Sequence, residues 1–83
     1  MVKVKLFGLL RLDTGIKEFE TEAGCVKDIF PVLIDRVNAT GRGNLTMKDM
    51  DGYIIAVNGD QVKKNATLKD GDVVMFTSPT CGG

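Results

Sequence analysis

The sequence contains no histidine and only two cysteines, Cys25 and Cys81. Without an imidazole, His-based acid–base catalysis and the Ser/His and Cys/His nucleophilic pairs are excluded. Two widely separated thiols make neither a zinc site nor a four-cysteine iron–sulfur site. The remaining Asp, Glu, Lys and Tyr side chains form no recognisable catalytic constellation. There is no excess charge of either sign, since Lys plus Arg and Asp plus Glu each count 11. A general nucleic-acid binder would carry a basic surplus. No apolar run approaches the roughly 20 residues of a membrane-spanning helix. The opening Met1-Val2-Lys3-Val4-Lys5 lacks the apolar core of a secretory signal. The absences together predict a cytoplasmic protein that is not an autonomous enzyme. They call for no cofactor and no metal, and for neither nucleic acid nor membrane as a partner.

What is present is one small domain. The chain has 83 residues, 43% of them apolar, which suffices for a core. A domain of this size buries only about 60% of its unfolded surface, so that core is marginal. Val2, Val4 and Leu6 alternate with Lys3, Lys5 and Phe7, the period of a strand. Gly8 is expected to end it and Asp13-Thr14-Gly15 to form a turn. A second antiparallel strand over 16–22, with Phe19 inward, completes a hairpin. The period then changes. Val26, Ile29, Phe30, Leu33, Ile34 and Val37 make one stripe of an amphipathic helix. Cys25 falls at its N-cap, and Asp28 suits the positive end of the helix dipole. Pro31 removes one backbone donor and is expected to kink this helix.

Residues 38–51 read as a polar loop with a short helical turn over 45–50. Gly41-Arg42-Gly43 lacks the lysine of a phosphate-binding loop and reads as plain surface. Tyr53-Ile54-Ile55-Ala56-Val57 is apolar at every position, which predicts a strand covered on both faces. Asn58-Gly59 marks a turn, 61–64 a short edge strand protected by lysines, and 68–72 another turn. Val73-Val74-Met75-Phe76-Thr77 forms the last strand. The predicted class is α+β: a mixed sheet of four to five strands with one main helix on one face, the first and last strands central and parallel. This is the β-grasp, or ubiquitin-like, arrangement. It is expected over 1–77, followed by a flexible tail over 78–83. The tail is Ser78-Pro79-Thr80-Cys81-Gly82-Gly83. A Gly-Gly end is thin and conformationally free, so it can thread a narrow slot and present its carboxylate to another protein.

Three segments resemble the small subunit of molybdopterin synthase and its relatives, the ubiquitin-like sulfur carriers. Residues Val2-Lys3-Val4-Lys5-Leu6-Phe7-Gly8-Leu9-Leu10-Arg11 are similar to the family's first strand and loop. Ala56-Val57-Asn58-Gly59 matches its central strand and turn. Leu68-Lys69-Asp70-Gly71-Asp72-Val73-Val74-Met75-Phe76, with the closing Gly82-Gly83, matches its C-terminal third. The resemblance implies a carrier whose Gly83 carboxylate is adenylated by an enzyme related to ubiquitin-activating enzymes and converted to a thiocarboxylate. That sulfur would go to molybdopterin, the ligand of molybdenum or tungsten, so the chain would serve as the small subunit of a two-subunit synthase.

Under that resemblance Ser78, Pro79, Thr80 and Cys81 lie along a partner's channel, and Gly82 lets the arm pass through its narrow part. Cys81 departs from the small or apolar residue usual before the Gly-Gly. The strand alternation further predicts that Phe7, Val73, Met75 and Thr77 face away from the helix. That apolar patch, with Arg11 beside it, is expected to dock on the larger synthase subunit or the adenylating enzyme. Three other readings stay open. They are a ubiquitin-like modifier conjugated through Gly83 to lysines, a carrier for the thiazole of thiamine, and an interaction domain with an idle terminus.

Overall fold

A computed structural model describes residues 1–41, 45–50 and 52–77. Five strands form one sheet in the order β2-β1-β5-β3-β4. Along the chain come β1 (Val2–Phe7), α1 (Gly8–Thr14), β2 (Glu18–Thr21), α2 (Val26–Thr40), α3 (Met47–Met50), β3 (Ile54–Val57), β4 (Asp60–Val62) and β5 (Val73–Thr77). The central pair, β1 with β5, is parallel, with Val4 beside Val74 and Phe7 beside Thr77. The other pairings are antiparallel. This is the expected β-grasp arrangement, with α2 packed across one face of the sheet.

Period-two alternation sends Val2, Val4 and Leu6 of β1, and Val74 and Phe76 of β5, into the core, each 1% exposed or less. The α2 stripe meets them: Val26, Ile29, Phe30, Leu33 and Val37 are buried and Ile34 half-buried. Phe30 and Phe76 pack edge to face, with ring centroids 6.0 Å apart. Burying each such side chain stabilises the fold by roughly 1.5–3 kcal/mol. Phe19 of β2 is buried, and the Arg36 guanidinium lies 4.4 Å from its ring centroid, closing that end of the core.

Cys25 occupies the α2 N-cap without a side-chain cap bond. Asp28 instead accepts from the Gly24 N–H at 3.2 Å. The helix continues through Pro31 to Thr40 and ends at Gly41, whose φ of 72° is left-handed. Thr46 and Asp49 cap the start of α3 reciprocally.

Three local expectations give way. The loop between β1 and β2 is not a simple turn but the helix α1, and Asp13-Thr14-Gly15 lies at its end. Gly15 adopts φ 74° and its N–H bonds to the Arg11 carbonyl. Leu10 and the buried Thr14 face the core at helical spacing, and Thr14 Oγ1 donates to the Leu10 carbonyl at 2.8 Å. β3 is not covered on both faces. It lies next to the edge strand, and Ile54 is 41% exposed. The strands β2 and β4 are also shorter than the 16–22 and 61–64 expected, at Glu18–Thr21 and Asp60–Val62.

The core assignment is testable by urea unfolding. Leu33→Ala, at a fully buried position, should lower stability by about 2–5 kcal/mol. Leu12→Ala, at a position 69% exposed, should change it by no more than about 0.5 kcal/mol. Equal effects would contradict the assignment.

Candidate functional site

The sheet face opposite α2 has no layer over it in the described chain. Residues that alternate with the core side chains point there: Lys3, Lys5 and Phe7 from β1, Val73, Met75 and Thr77 from β5, Ile54 and Ala56 from β3. Charge and apolarity are separated across this face. On the β2 side, Lys3 Nζ and Glu18 Oε2 pair at 3.5 Å. On the β3 side, Phe7, Ile54, Ala56, Met75 and Thr77 line an apolar hollow of about 300 Å³. Phe7 also borders a small cleft of about 90 Å³ with Arg11, Lys5, Lys17 and Glu18. The expected trio of Phe7, Met75 and Arg11 is therefore contiguous. Ile54 and Ala56 join it unannounced, because an uninterrupted apolar run hides the alternation that would have revealed their direction.

Thr77 is paired on one side with Phe7 and on the other with Ile54. These are among the large exposed apolar side chains, at 39% and 41%. The described part of β5 thus ends inside the apolar patch, and the path to the tail starts there. Pro79, Thr80, Cys81, Gly82 and Gly83 lie outside the described residues.

The two turns quoted for the resemblance are clasped to each other at the opposite end of the sheet. Asn58 and Gly59 both have positive φ, 52° and 92°, as a tight hairpin between β3 and β4 requires. Asn58 Nδ2 donates to Asp72 Oδ1 at 2.9 Å, and Val73 N–H donates to Asn58 Oδ1 at 3.0 Å. The other Asp72 oxygen accepts from the Lys69 N–H at 2.8 Å. The Lys69 N–H first, then the Asn58 amide, hold the Asp72 carboxyl below the usual carboxylate range, and the Lys69 charge adds to them. The Asp72 carbonyl accepts from the Lys3 N–H at 2.9 Å, which ties this clasp to β1. These residues therefore act in the site at a distance, by fixing β1, β3 and β5 in register. Among the described residues no group of His, Cys, Asp and Glu could hold a metal ion. No helix of the described chain is long and apolar enough to cross a membrane.

A family model described as ThiS family matches residues 4–83. No curated protein shows significant similarity to the chain. Among solved structures, a Pyrococcus furiosus protein named as molybdopterin converting factor, subunit 1, shares 33% identity over 95% of this chain and 97% of its own, with a TM-score of 0.67. Small archaeal modifier protein 1 of Methanosarcina acetivorans shares 28% identity over 99% of this chain and 95% of its own, with a TM-score of 0.74. Subunit 1 in the Helicobacter pylori complex of molybdopterin-converting factor subunits 1 and 2 shares 25% identity over 99% of this chain and 97% of its own, with a TM-score of 0.64.

The clasp makes a signed prediction for acid unfolding. A folded carboxyl held below its unfolded value, about 3.9, stabilises the fold above that value and loses the contribution as pH falls through the folded one. The stability difference between the unmodified protein and Asp72→Asn should be largest near neutrality and shrink on acidification. A difference that stays constant from about pH 6 to about pH 2 would contradict the assignment.

Proposed function

The chain belongs to the ThiS family of ubiquitin-like sulfur carriers, and from that premise we propose that it carries sulfur on its Gly83 carboxyl for molybdopterin biosynthesis. The observation that supports this reading most is where β5 ends. Thr77, the last described residue of β5, is paired with Phe7 and Ile54, so a partner seated on the apolar hollow sits where the chain continues toward Gly83. Docking surface and reagent are then delivered together.

The chemistry follows from the terminal carboxylate. It is a poor acyl donor because its leaving group would be oxide. An adenylating enzyme transfers the adenylyl group of ATP to the Gly83 carboxylate, and pyrophosphate leaves. A hydrosulfide equivalent from a sulfur donor then attacks the acyl carbon, AMP leaves, and a thiocarboxylate remains. The folded domain does no bond chemistry and acts as the handle. On the larger synthase subunit, the Phe7–Met75–Ile54 surface supplies apolar contact and Arg11 a charged contact at its border. On this reading Ser78, Pro79, Thr80 and Cys81 line the partner's channel, and Gly82 lets the arm pass its narrow part. The setting proposed is the cytoplasm, where ATP and the sulfur donor are found. The resemblance to a modifier protein at 28% identity favours a second reading, conjugation of Gly83 to lysines of other proteins. Delivery to the thiazole of thiamine is the alternative within the carrier reading.

Incubation of the full chain with an adenylating partner, ATP and a sulfur donor, then with cell extract as a source of acceptor lysines, followed by intact mass spectrometry, separates the carrier reading, common to molybdopterin and thiazole delivery, from the modifier. Exchange of one oxygen for sulfur at the terminus is expected. Isopeptide-linked adducts without such exchange would favour the modifier, and an unchanged mass would contradict both. For the docking surface, Met75→Asp should weaken binding to the larger subunit at least about tenfold while leaving the fold intact. Unchanged affinity would remove Met75 from the interface.

A further inference from the structure

The pleat that turns Ile54 and Ala56 to the apolar hollow turns Ile55 to the other side of the sheet. There a second and larger cleft, about 590 Å³, opens beside the edge strand β4. Its floor is apolar: Tyr53, just before β3, and Val62 of β4 are half-buried, above the buried Met50 of α3 and Ile55 of β3. Its rim is basic: Lys27 from the first turn of α2, with Lys63 and Lys64 just after β4. Among the described residues no carboxylate lines it. Neither Lys27 nor Lys63 joins an ion pair within the described chain. In a chain with equal numbers of acidic and basic residues, this is a local concentration of positive charge around apolar ground.

We propose that this cleft binds an acidic peptide segment of a protein partner, anchored by an apolar side chain and laid along β4. Three features fit that occupant together. Among the described residues β4 pairs with β3 alone, so an extended segment can add to its outer edge. The apolar floor lies on the inner side of that edge, where every second side chain of an added strand would point. The lysines attract carboxylates flanking the anchor, and they repel the same edge of a second copy of this chain. A nucleic acid fits less well, because the chain as a whole has no basic surplus. The cleft is on the helix side of the sheet and the Phe7–Met75 surface on the other. One partner can therefore hold this edge while another occupies the hollow and receives the tail. The inference stands independently of the carrier reading.

The test uses the isotope-labelled full chain and four probes, with amide shifts followed by NMR. The probes are a short peptide of Glu and Asp around a Leu-Ile pair, its counterpart with Lys in place of the acids, an acidic peptide without apolar residues, and a short single-stranded oligonucleotide. The acidic apolar peptide should shift amides around Lys27, Ile55, Val62 and Lys63 and bind more weakly as ionic strength rises. The purely acidic peptide should bind more weakly than it. The double variant Lys27→Glu with Lys63→Glu should lose at least about tenfold in affinity for the acidic apolar peptide and gain affinity for the lysine peptide. That gain of binding also shows that the variant is folded. The proposal is overturned if the acidic apolar peptide does not bind. It is equally overturned if the lysine peptide binds the unmodified protein as well, if the shifts fall on the Phe7–Met75 face, or if the oligonucleotide perturbs the cleft at lower concentration than the peptide.

Discussion

The parallel pairing of β1 with β5 holds the first and last strands of the chain side by side in the centre of the sheet. Every other feature depends on that register. It sets Val4 beside Val74 and Leu6 beside Phe76, so both strands offer continuous apolar rows to the α2 stripe. It also sets Phe7 beside Thr77 at the end from which the tail departs. A shift of one residue would turn the core rows to the open face and Met75 into the core. The register is fixed at one end by packing against Phe30 and at the other by the Asn58–Asp72 clasp. Asp72 reaches β1 directly through its carbonyl bond with the Lys3 N–H. This is the physical content of the quoted segments: the turn at 58–59 and the turn at 68–72 are two halves of one hydrogen-bonded device.

Where the residues carried a clear period, the fold could be read before it was seen. β1, the α2 stripe and β5 are such cases, and the predicted direction of Phe7 and Met75 followed from them. α1 escaped because its seven residues span only about two turns, too few to establish a period. Gly8 also read as a stop, whereas its φ of 64° is how the chain turns from strand into helix. Ile54 and Ala56 escaped for the opposite reason. An all-apolar strand gives no alternation, and it suits a strand with a partner-binding outer face as well as one buried in its own domain. The basic cleft was invisible because Lys27 and Lys63 come from elements far apart in sequence, and only the fold brings them to one rim.

The two faces of this small sheet divide the work. One side packs the helix and keeps the strands in register. Among the described residues the other leaves Phe7 and Ile54 exposed and Ala56, Met75 and Thr77 half-buried, an apolar surface of the kind that marks interaction sites. The Lys3–Glu18 pair borders that patch and discourages indiscriminate association. The separation of roles matches the proposed mechanism, in which the body is recognised and the terminus reacts.

The central claim is that the terminal carbonyl of Gly83 is the working atom. It is tested most directly in cells that depend on this protein for their molybdopterin, by adding one residue beyond Gly83 in a form that proteases do not remove. Loss of the cofactor, with folded protein present at normal abundance, is the predicted result. Full cofactor supply with the extension still attached would contradict the account.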